Sequence, residues 1–266
     1  ADADFARISN VEVLNLGNGT QTVTLTTNAN AAGIVTINGG TGADTIVTGD
    51  GSQTITPGAA ADIVTGGLGA DTIDLTEEVA AADDVIITSG LTSDTVTAFA
   101  EATDDVLLDM SALEAENASV AETTVDIVEI YDALSVTDAA GTAAAVGVQV
   151  LTEAAAAADE KNFFVIDLGD TKFANAAAAV DALEAEGAAA LTFAGNIAAG
   201  DGFFFAYENA TGGTGIALAS FVAADNNSGD GDAAPTGAGN LVGTDLVTLS
   251  GVADATVIDA TNLFLF

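Results

Sequence analysis

The alternation of apolar and polar positions over the first 110 residues predicts short β-strands. Runs with one central apolar side chain recur, as in Thr45-Ile46-Val47 and Thr72-Ile73-Asp74, and Gly-rich stretches lie between them. A period of two is typical of strands with one buried face, and clusters of Gly and Asp are typical of turns. This part of the chain is therefore predicted to be mainly β.

The predicted strands recur with a fixed period. Residues 39–47 (GGTGADTIV) and 66–74 (GGLGADTID) fit the nonapeptide G-G-x-G-x-D-x-U-x at every position, where U is apolar. Between them lie two degenerate copies: residues 48–56 (TGDGSQTIT), with Gln53 in place of the Asp, and residues 57–65 (PGAAADIVT), which keep Asp62. Since the two full matches are in phase, they indicate a true repeat.

The period predicts how the copies stack. Two nonapeptides make one coil, so residues about eighteen apart in sequence are expected to lie over one another. Asp44 is then expected to lie over Asp62, and Gln53 over Asp71. The apolar positions are expected to fill a narrow core between two sheets: Ile46, Ile55, Val64 and Ile73.

Composition favours the same architecture. The chain is 49% hydrophobic, with twelve Phe, two Tyr and no Trp, so its apolar character comes mainly from small and β-branched side chains. Such side chains suit the thin layers of a coiled β structure better than a thick α/β core.

The charge balance restricts the partners. Forty Asp and Glu residues face three Lys and Arg residues, giving a formal charge of −37. Bound divalent cations or high external salt must offset the self-repulsion, and an acidic surface of the halophilic kind is the alternative to cation binding. The chain lacks a basic patch, which excludes nucleic acid and anionic membranes as partners. It also lacks an apolar run long enough for a transmembrane segment.

Missing residue types argue against catalysis. The sequence has no His and no Cys, so Ser-His-Asp and Cys-His arrangements and the usual zinc sites are excluded. Carboxylate pairs of the glycosidase kind remain available, but no aromatic-rich cleft signature accompanies them. The sequence therefore predicts a protein that is not an enzyme.

The nonapeptide resembles the calcium-binding repeat of RTX (repeats-in-toxin) proteins, which bacteria export by type I secretion and which form a parallel β-roll. Gly permits tight turns in which carbonyl oxygens converge, and Asp adds a carboxylate, giving the all-oxygen environment that Ca²⁺ prefers. The resemblance is sharp over residues 39–74 and looser on both flanks. Asp84 and Asp94 each stand two residues before an apolar position, Ile86 and Val96, in worn copies of the repeat. The expected calcium-binding positions are Gly39, Gly40, Gly42, Asp44, Asp62, Gly66, Gly67, Gly69, Asp71, Asp84 and Asp94.

Three regions are expected: an upstream β segment (1–38) leading into the roll, the calcium-binding β-roll (39–110), and a β-rich C-terminal domain (111–266) with one or two short helices. In the last region strands are predicted at 163–168, 203–207 and 215–221. A helix is predicted over 173–186, capped by Asp170-Thr171 and ended by Gly187.

Two segments of the C-terminal region leave alternatives open. Residues 225–232 (DNNSGDGD) concentrate short oxygen ligands and are either a further calcium site or a solvated acidic loop. The C-terminal segment is similar to the uncleaved export signal of RTX-type surface proteins, the alternative being a strand that closes the domain.

The resemblance implies a secreted, extracellular or cell-surface protein. We expect a structural subunit of an S-layer, matrix or filament that folds and self-assembles in external Ca²⁺, through calcium-bridged or β-edge contacts between copies and with attachment to cell-surface polysaccharide. The alternative is a calcium-triggered C-terminal export and folding module of a larger secreted adhesin, toxin or hydrolase.

Overall fold

The computed structural model describes residues 2–88, 92–109, 144–145, 148–151, 156–157, 163–183, 191–192, 202–221, 241–258 and 262–265. Over these residues the protein is mainly β, with two short α-helices, which confirms the predicted fold class. None of the helices in these ranges is long and apolar enough to cross a membrane.

The N-terminal half forms a roll of parallel strands. Among residues 2–88 and 92–109, ten strands alternate between two sheets, so that two consecutive strands make one coil and there are five coils. The odd-numbered strands pair in one sheet and the even-numbered strands in the other. They are β1 (Val13–Asn15), β2 (Thr22–Thr24), β3 (Thr36–Gly40), β4 (Thr45–Val47), β5 (Thr54–Gly58), β6 (Ile63–Thr65), β7 (Thr72–Asp74), β8 (Asp84–Ile87), β9 (Asp94–Thr97) and β10 (Asp105–Leu108).

Apolar side chains stack in register inside the roll. Ile37, Ile55 and Ile73 are paired partners in the odd sheet, and the spacing of eighteen residues predicted the Ile55–Ile73 pair. Because side chains alternate between the faces of a strand, each short strand contributes one or two inward residues. The buried stacks are Ile37, Ile55, Ile73 and Val96 in one sheet and Val23, Ile46, Val64, Val85 and Val106 in the other.

The repeat phase expected at Asp84 is wrong by one residue. In β8 the buried side chains are Val85 and Ile87, whereas Ile86 is half-buried on the outer face. A shift of one residue would turn both buried side chains outward and leave one apolar residue inward, so packing selects the observed register. Asp84 therefore pairs with Ile63 within the sheet.

The described residues of the C-terminal region add nine strands, and the predicted strands near 163, 203 and 215 are all found. They are β11 (Ala144–Ala145), β12 (Val148–Leu151), β13 (Ala156–Ala157), β14 (Phe163–Ile166), β15 (Leu191–Thr192), β16 (Gly202–Glu208), β17 (Thr214–Phe221), β18 (Leu241–Ser250) and β19 (Leu263–Leu265). Strands β16, β17 and β18 form an antiparallel meander around a buried aromatic cluster that includes Phe164, Phe203 and Phe221.

Both sheets of the roll continue into this region. Strand β18 pairs in parallel with β9, and β19 pairs in parallel with β10. The last coil is therefore covered on both sides. The first coil is different, since β1 and β2 are the terminal strands of the two sheets over the described residues.

One of the two helices is shorter than predicted, and the other was not predicted from the sequence. Helix α1 (Thr27–Ala32) lies between β2 and β3, and α2 (Ala176–Val180) lies within the predicted 173–186 segment. Helix α2 is capped by Asn175, whose side chain accepts a hydrogen bond from the Ala178 N–H, so the predicted Asp170-Thr171 cap is wrong. Phe173 instead forms a β-bridge with Asn209, which prevents an earlier start. Gly187 and residues 225–232 lie outside the described residues.

Candidate metal site

A column of four carboxylates runs along one side of the roll. Its members, the first ladder, directly precede β4, β6, β8 and β10 and are Asp44, Asp62, Asp83 and Asp104. In each case Oδ1 accepts a hydrogen bond from a backbone N–H of the coil before it. The donor–acceptor distances are 2.7 Å for Gln21–Asp44, 2.6 Å for Asp44–Asp62, 2.8 Å for Asp62–Asp83 and 3.3 Å for Asp83–Asp104.

The opposite side of the roll carries a second, shorter ladder. The Gln53 N–H donates to Oδ1 of Asp71 at 2.6 Å, and the Asp71 N–H donates to Oδ1 of Asp94 at 2.9 Å. Gln53 is the first member, and its side-chain amide donates to Asn30 of α1 at 3.1 Å. Position 53 thus has an amide where the repeat has a carboxylate, and the amide N–H group is hydrogen-bonded to the Asn30 side chain.

Each ladder hydrogen bond uses only one oxygen of the carboxylate. The other oxygen, Oδ2, is buried without a hydrogen-bond partner in Asp44, Asp62, Asp71 and Asp83. These four side chains are at most 1% exposed. An unpaired buried polar atom costs about 1–3 kcal/mol, more when it is charged, so four of them call for a proton or a cation.

Burial raises the pKa of several carboxyls of the two ladders. It raises the pKa of Asp62 and Asp71 to about 6, although the backbone hydrogen bond that each accepts acts in the opposite direction. Burial likewise raises the pKa of Asp83 and Asp94 to about 7, and the charges of neighbouring ladder members add to it. The pKa values of Asp84, Asp104 and Asp105 are also raised, mainly by burial.

Glycines of the roll let the backbones of successive coils approach one another closely. Gly40 and Gly58 stack with φ of 126° and 115°, and a Cβ on Gly58 would lie 2.0 Å from the Gly40 carbonyl oxygen. Gly67, with φ of 81°, also lies close to the preceding coil, since a Cβ on it would be 2.6 Å from the Gly49 carbonyl oxygen. Side chains at these positions would separate the coils.

Other turn glycines lie directly beside the unpaired oxygens. A Cβ on Gly39 would lie 2.8 Å from Asp44 Oδ2 and 1.9 Å from the Pro57 carbonyl oxygen. A Cβ on Gly66 would lie 2.6 Å from Asp71 Oδ2. Backbone and carboxylate oxygens therefore meet where side chains are absent. This donor set fits Ca²⁺, which takes six to eight oxygens, including backbone carbonyls.

The structure brings most of the expected positions together. Asp44, Asp62, Asp71 and Asp94 are ladder members. Gly39 and Gly40 end β3, and Gly42, Gly66, Gly67 and Gly69 lie in the adjoining turns. Asp84 is not a ladder member. Among the described residues no three acidic side chains form a metal-binding group by themselves, so a bound ion would depend on carbonyl oxygens as well.

Two ladder members, Asp83 and Asp104, were not predicted from the sequence. Each is the first of two consecutive Asp residues, and each stands two positions before a buried valine, Val85 or Val106. The same spacing relates Asp44 to Ile46. Both ladder members can be recognised in the sequence as the Asp that stands two positions before the inward apolar residue of the next strand.

A scan against models of known protein families finds no match for this chain. A search of curated proteins also finds no significant match.

Proposed function

We propose that this protein is an extracellular structural protein whose β-roll binds Ca²⁺ through its carboxylate ladders and folds and assembles when it meets external calcium. The observation that carries the proposal is the set of buried Oδ2 atoms of Asp44, Asp62, Asp71 and Asp83, which have no hydrogen-bond partner. The nonapeptide and its resemblance to the RTX repeat support calcium as the ion.

In this proposal the ions are held between successive turns. Asp44 and Asp62 supply carboxylate oxygens on the first ladder and Asp71 on the second, and carbonyl oxygens of the glycine turns complete the coordination. Bound Ca²⁺ supplies positive charge that neutralises the stacked carboxylates. The protein itself contributes the fixed spacing of the coils, the exclusion of water from the ladders and the hydrogen bonds that orient each Oδ1.

The same arrangement makes folding depend on location. In calcium-poor surroundings the buried charges oppose the compact state, and the net charge of −37 adds to the repulsion. Extracellular calcium modules typically bind with dissociation constants of about 10⁻⁴–10⁻³ M, so millimolar external calcium suffices to drive folding. We therefore place the protein outside the cell, secreted or at its surface, and assign it no catalytic activity.

A second candidate is an export and folding module attached to a larger secreted adhesin, toxin or hydrolase. The asymmetry of the roll favours it. The last coil is covered by β18 and β19, whereas β1 and β2 end their sheets over the described residues. An additional element preceding the roll could pair with these two edges. The same edges serve contacts between copies in the structural proposal.

One experiment tests the proposal and separates the two candidates. Circular dichroism and light scattering are recorded together while calcium is added to the chelated protein, with magnesium at matched ionic strength as the control. β-structure followed by large ordered particles, with calcium alone, supports a structural subunit. A folded monomer that never assembles supports the module. An equal response to magnesium would contradict the calcium sites.

A further inference from the structure

The first coil is the open end of the roll. Over the described residues β1 pairs only with β3 and β2 only with β4, whereas the last coil is covered by β18 and β19. The outer edges of β1 and β2 therefore have no strand partner among these residues. A strand edge of this kind presents unpaired N–H and C=O groups, to which another chain can add a strand.

The register shows which backbone groups face these open edges. The Leu16 N–H, at the end of β1, donates to the Asn38 carbonyl, and the Leu25 N–H, at the end of β2, donates to the Val47 carbonyl. Successive residues of a strand direct their N–H and C=O groups to opposite edges, so the intervening residues face outward. These residues, whose side chains are all exposed, are Val13, Asn15, Thr22 and Thr24.

The core of the first coil is already closed by the chain itself. Val23, the inward residue of β2, is 6% exposed, and Phe5 of the N-terminal segment packs against the core. The Asp2 carboxylate fixes this segment, since it accepts hydrogen bonds from the N–H groups of Thr26 at 2.7 Å and Ala29 at 3.0 Å. The open end therefore offers backbone edges, and the core needs no partner to bury it.

The first coil is also an uncharged part of a strongly acidic chain. Residues 13–43 contain no Asp, Glu, Lys or Arg, although the whole chain has forty acidic and three basic residues. Edge strands of native proteins are commonly protected by a charged side chain or a proline, and β1 and β2 contain neither. A second copy carries the same net charge of −37, so it can approach most closely where charge is absent.

The first ladder ends at this coil in a neutral side chain. The Gln21 N–H donates to Oδ1 of Asp44 at 2.7 Å, as the Asp44 N–H does to Asp62. Gln21 thus occupies the ladder position of the first coil, and its side-chain amide donates to the Gly19 carbonyl at 3.1 Å. An aspartate at this position would add a carboxylate to the open end, where like charges would meet if two such ends came together.

We propose that two copies of this chain bind each other through their first coils, by antiparallel pairing of the β1 and β2 edges about a two-fold axis. A two-fold contact uses the same surface on both copies and is complete at two. Since β18 and β19 cover the last coil, that coil offers no free edge for head-to-tail stacking. The inference rests on the proposed function, which requires folded copies to assemble, and it makes an end-to-end pair the first step of that assembly.

The test compares Thr22→Asp with Thr54→Asp in the full chain, folded in saturating CaCl₂. Both threonines are exposed and begin a strand, but β2 is an edge strand whereas β5 lies between β3 and β7. Val13→Asp, on the β1 edge, is a second edge variant. Circular dichroism checks that each variant is folded, and sedimentation equilibrium over a series of protein concentrations measures the molar mass.

We expect the wild type and Thr54→Asp to form dimers with the same dissociation constant, roughly 1–100 µM because the two edges are short. Thr22→Asp and Val13→Asp should each raise this constant about tenfold or more, because the substitution brings two like charges together in the contact. Equal weakening in Thr22→Asp and Thr54→Asp would overturn the inference, since overall charge would then be responsible.

The salt dependence of pairing provides a second readout. Added NaCl should lower the dissociation constant of the wild type, because it screens the repulsion between two chains that each carry a charge of −37. A contact in which calcium bridges carboxylates of two copies should weaken in salt instead. Weaker pairing at higher NaCl concentration would therefore contradict pairing through the uncharged edges.

The outcomes also separate this inference from the proposed function. A wild type that folds with calcium and stays a monomer at every concentration would overturn the pairing and leave calcium-dependent folding intact. Particles larger than dimers that Thr22→Asp abolishes would contradict a contact that is complete at two. If the chain folds and pairs equally well in chelating buffer, the pairing is confirmed and the calcium proposal fails.

Discussion

The backbone N–H of Asp44 donates to Oδ1 of Asp62 at 2.6 Å, and the two residues are eighteen positions apart. The Asp62 side chain, which lies between β5 and β6, therefore binds the backbone of the preceding coil. The same bond fixes the carboxylate orientation and leaves its second oxygen buried and unpaired. The two oxygens of Asp62 thus have separate roles, which substitutions can distinguish.

Replacing Asp62 by Asn should have opposite effects with and without calcium. Asn keeps an oxygen for the Asp44 N–H and removes the charge, so in chelating buffer at pH 7.5 the variant should unfold at a higher temperature than the wild type. In saturating calcium it should gain less stability than the wild type, since a ligand oxygen is lost. Thermal unfolding by circular dichroism measures both. Asp50→Asn, an exposed position in the same roll, is the control and should change neither.

Replacing Asp62 by Ala should be more damaging than replacing it by Asn. Ala removes both the charge and the hydrogen-bond acceptor, so the buried Asp44 N–H loses its partner at a cost of about 1–3 kcal/mol. The difference in unfolding free energy between the Ala and Asn variants, measured with urea in calcium-free buffer, gives the contribution of this hydrogen bond. Equal stabilities would show that the ladder hydrogen bonds do not hold the coils together.

The calcium-free protein should become more stable as the pH falls from about 7.5 to 5. Ladder carboxyls with pKa values of about 6 and 7 bind protons in the folded state at a higher pH than in the unfolded state, where the value is near 3.8. Their stabilising contribution is complete below the unfolded pKa and is lost as the pH rises through 6 to 7. Urea unfolding at several pH values in calcium-free buffer measures the trend.

Saturating calcium should reverse this trend, because protons compete with the ion for the same oxygens. The unfolding free energies with and without calcium should therefore converge as the pH falls. An Asp62→Asn, Asp71→Asn double variant should show a shallower calcium-free pH dependence than the wild type. If the double variant keeps the full pH dependence of stability, that dependence comes from the overall surface charge and not from the ladder carboxyls.

The stacked glycine turns should be intolerant of even one methyl group. Gly58→Ala places a Cβ 2.0 Å from the Gly40 carbonyl oxygen at a φ of 115°, so we expect a loss of about 2–4 kcal/mol from strain and displacement of the coil. Gly17→Ala is the matched control, because no atom lies within 4 Å of its Cβ position and its φ is not positive. Urea unfolding compares the two, and similar losses would contradict the close stacking of the turns.

The stability of the roll should depend strongly on the inward apolar side chains that fill its narrow core. Ile55 is fully buried in the odd sheet, whereas Ile63, in the same coil, is 37% exposed. Ile55→Ala should cost about 2–5 kcal/mol through lost burial and the resulting cavity, and Ile63→Ala clearly less. Both variants are measured by urea unfolding in saturating calcium. A larger loss of unfolding free energy in Ile63→Ala than in Ile55→Ala would show that Ile63, and not the opposite face of β6, lies in the core.

The architecture of the roll could be predicted because its period is local. Gly39 to Asp74 repeat the same nine-residue pattern, and the stacking of Asp44 on Asp62 follows from the period alone. The phase beyond Asp74 could not be predicted in this way. The insertion before Asp83 changes the spacing from 18 to 21 residues, and the adjacent Asp84 offers a competing register that only packing of Val85 excludes.

Long-range pairing was not predictable from the pattern of residues. The strands near 203 and 215 could be recognised, but the periodicity of the chain does not reveal that β18 pairs with β9 or β19 with β10. The start of α2 was also misplaced, since the Phe173–Asn209 bridge overrides the local capping signal.

The way in which the last coil is covered has a consequence for the order of folding. Hydrogen bonds between neighbouring coils join residues about eighteen positions apart, and such short loops close quickly. One coil can therefore form on another before the rest of the chain has folded. The covering strands are different, since the Asn262 side chain donates to the Glu101 carbonyl across 161 residues of chain. Such distant contacts form slowly, because the entropy of closing a long loop must be lost first. We therefore expect the coils of the roll to form early, one after another, and the docking of β18 and β19 to be the late, rate-limiting step of folding.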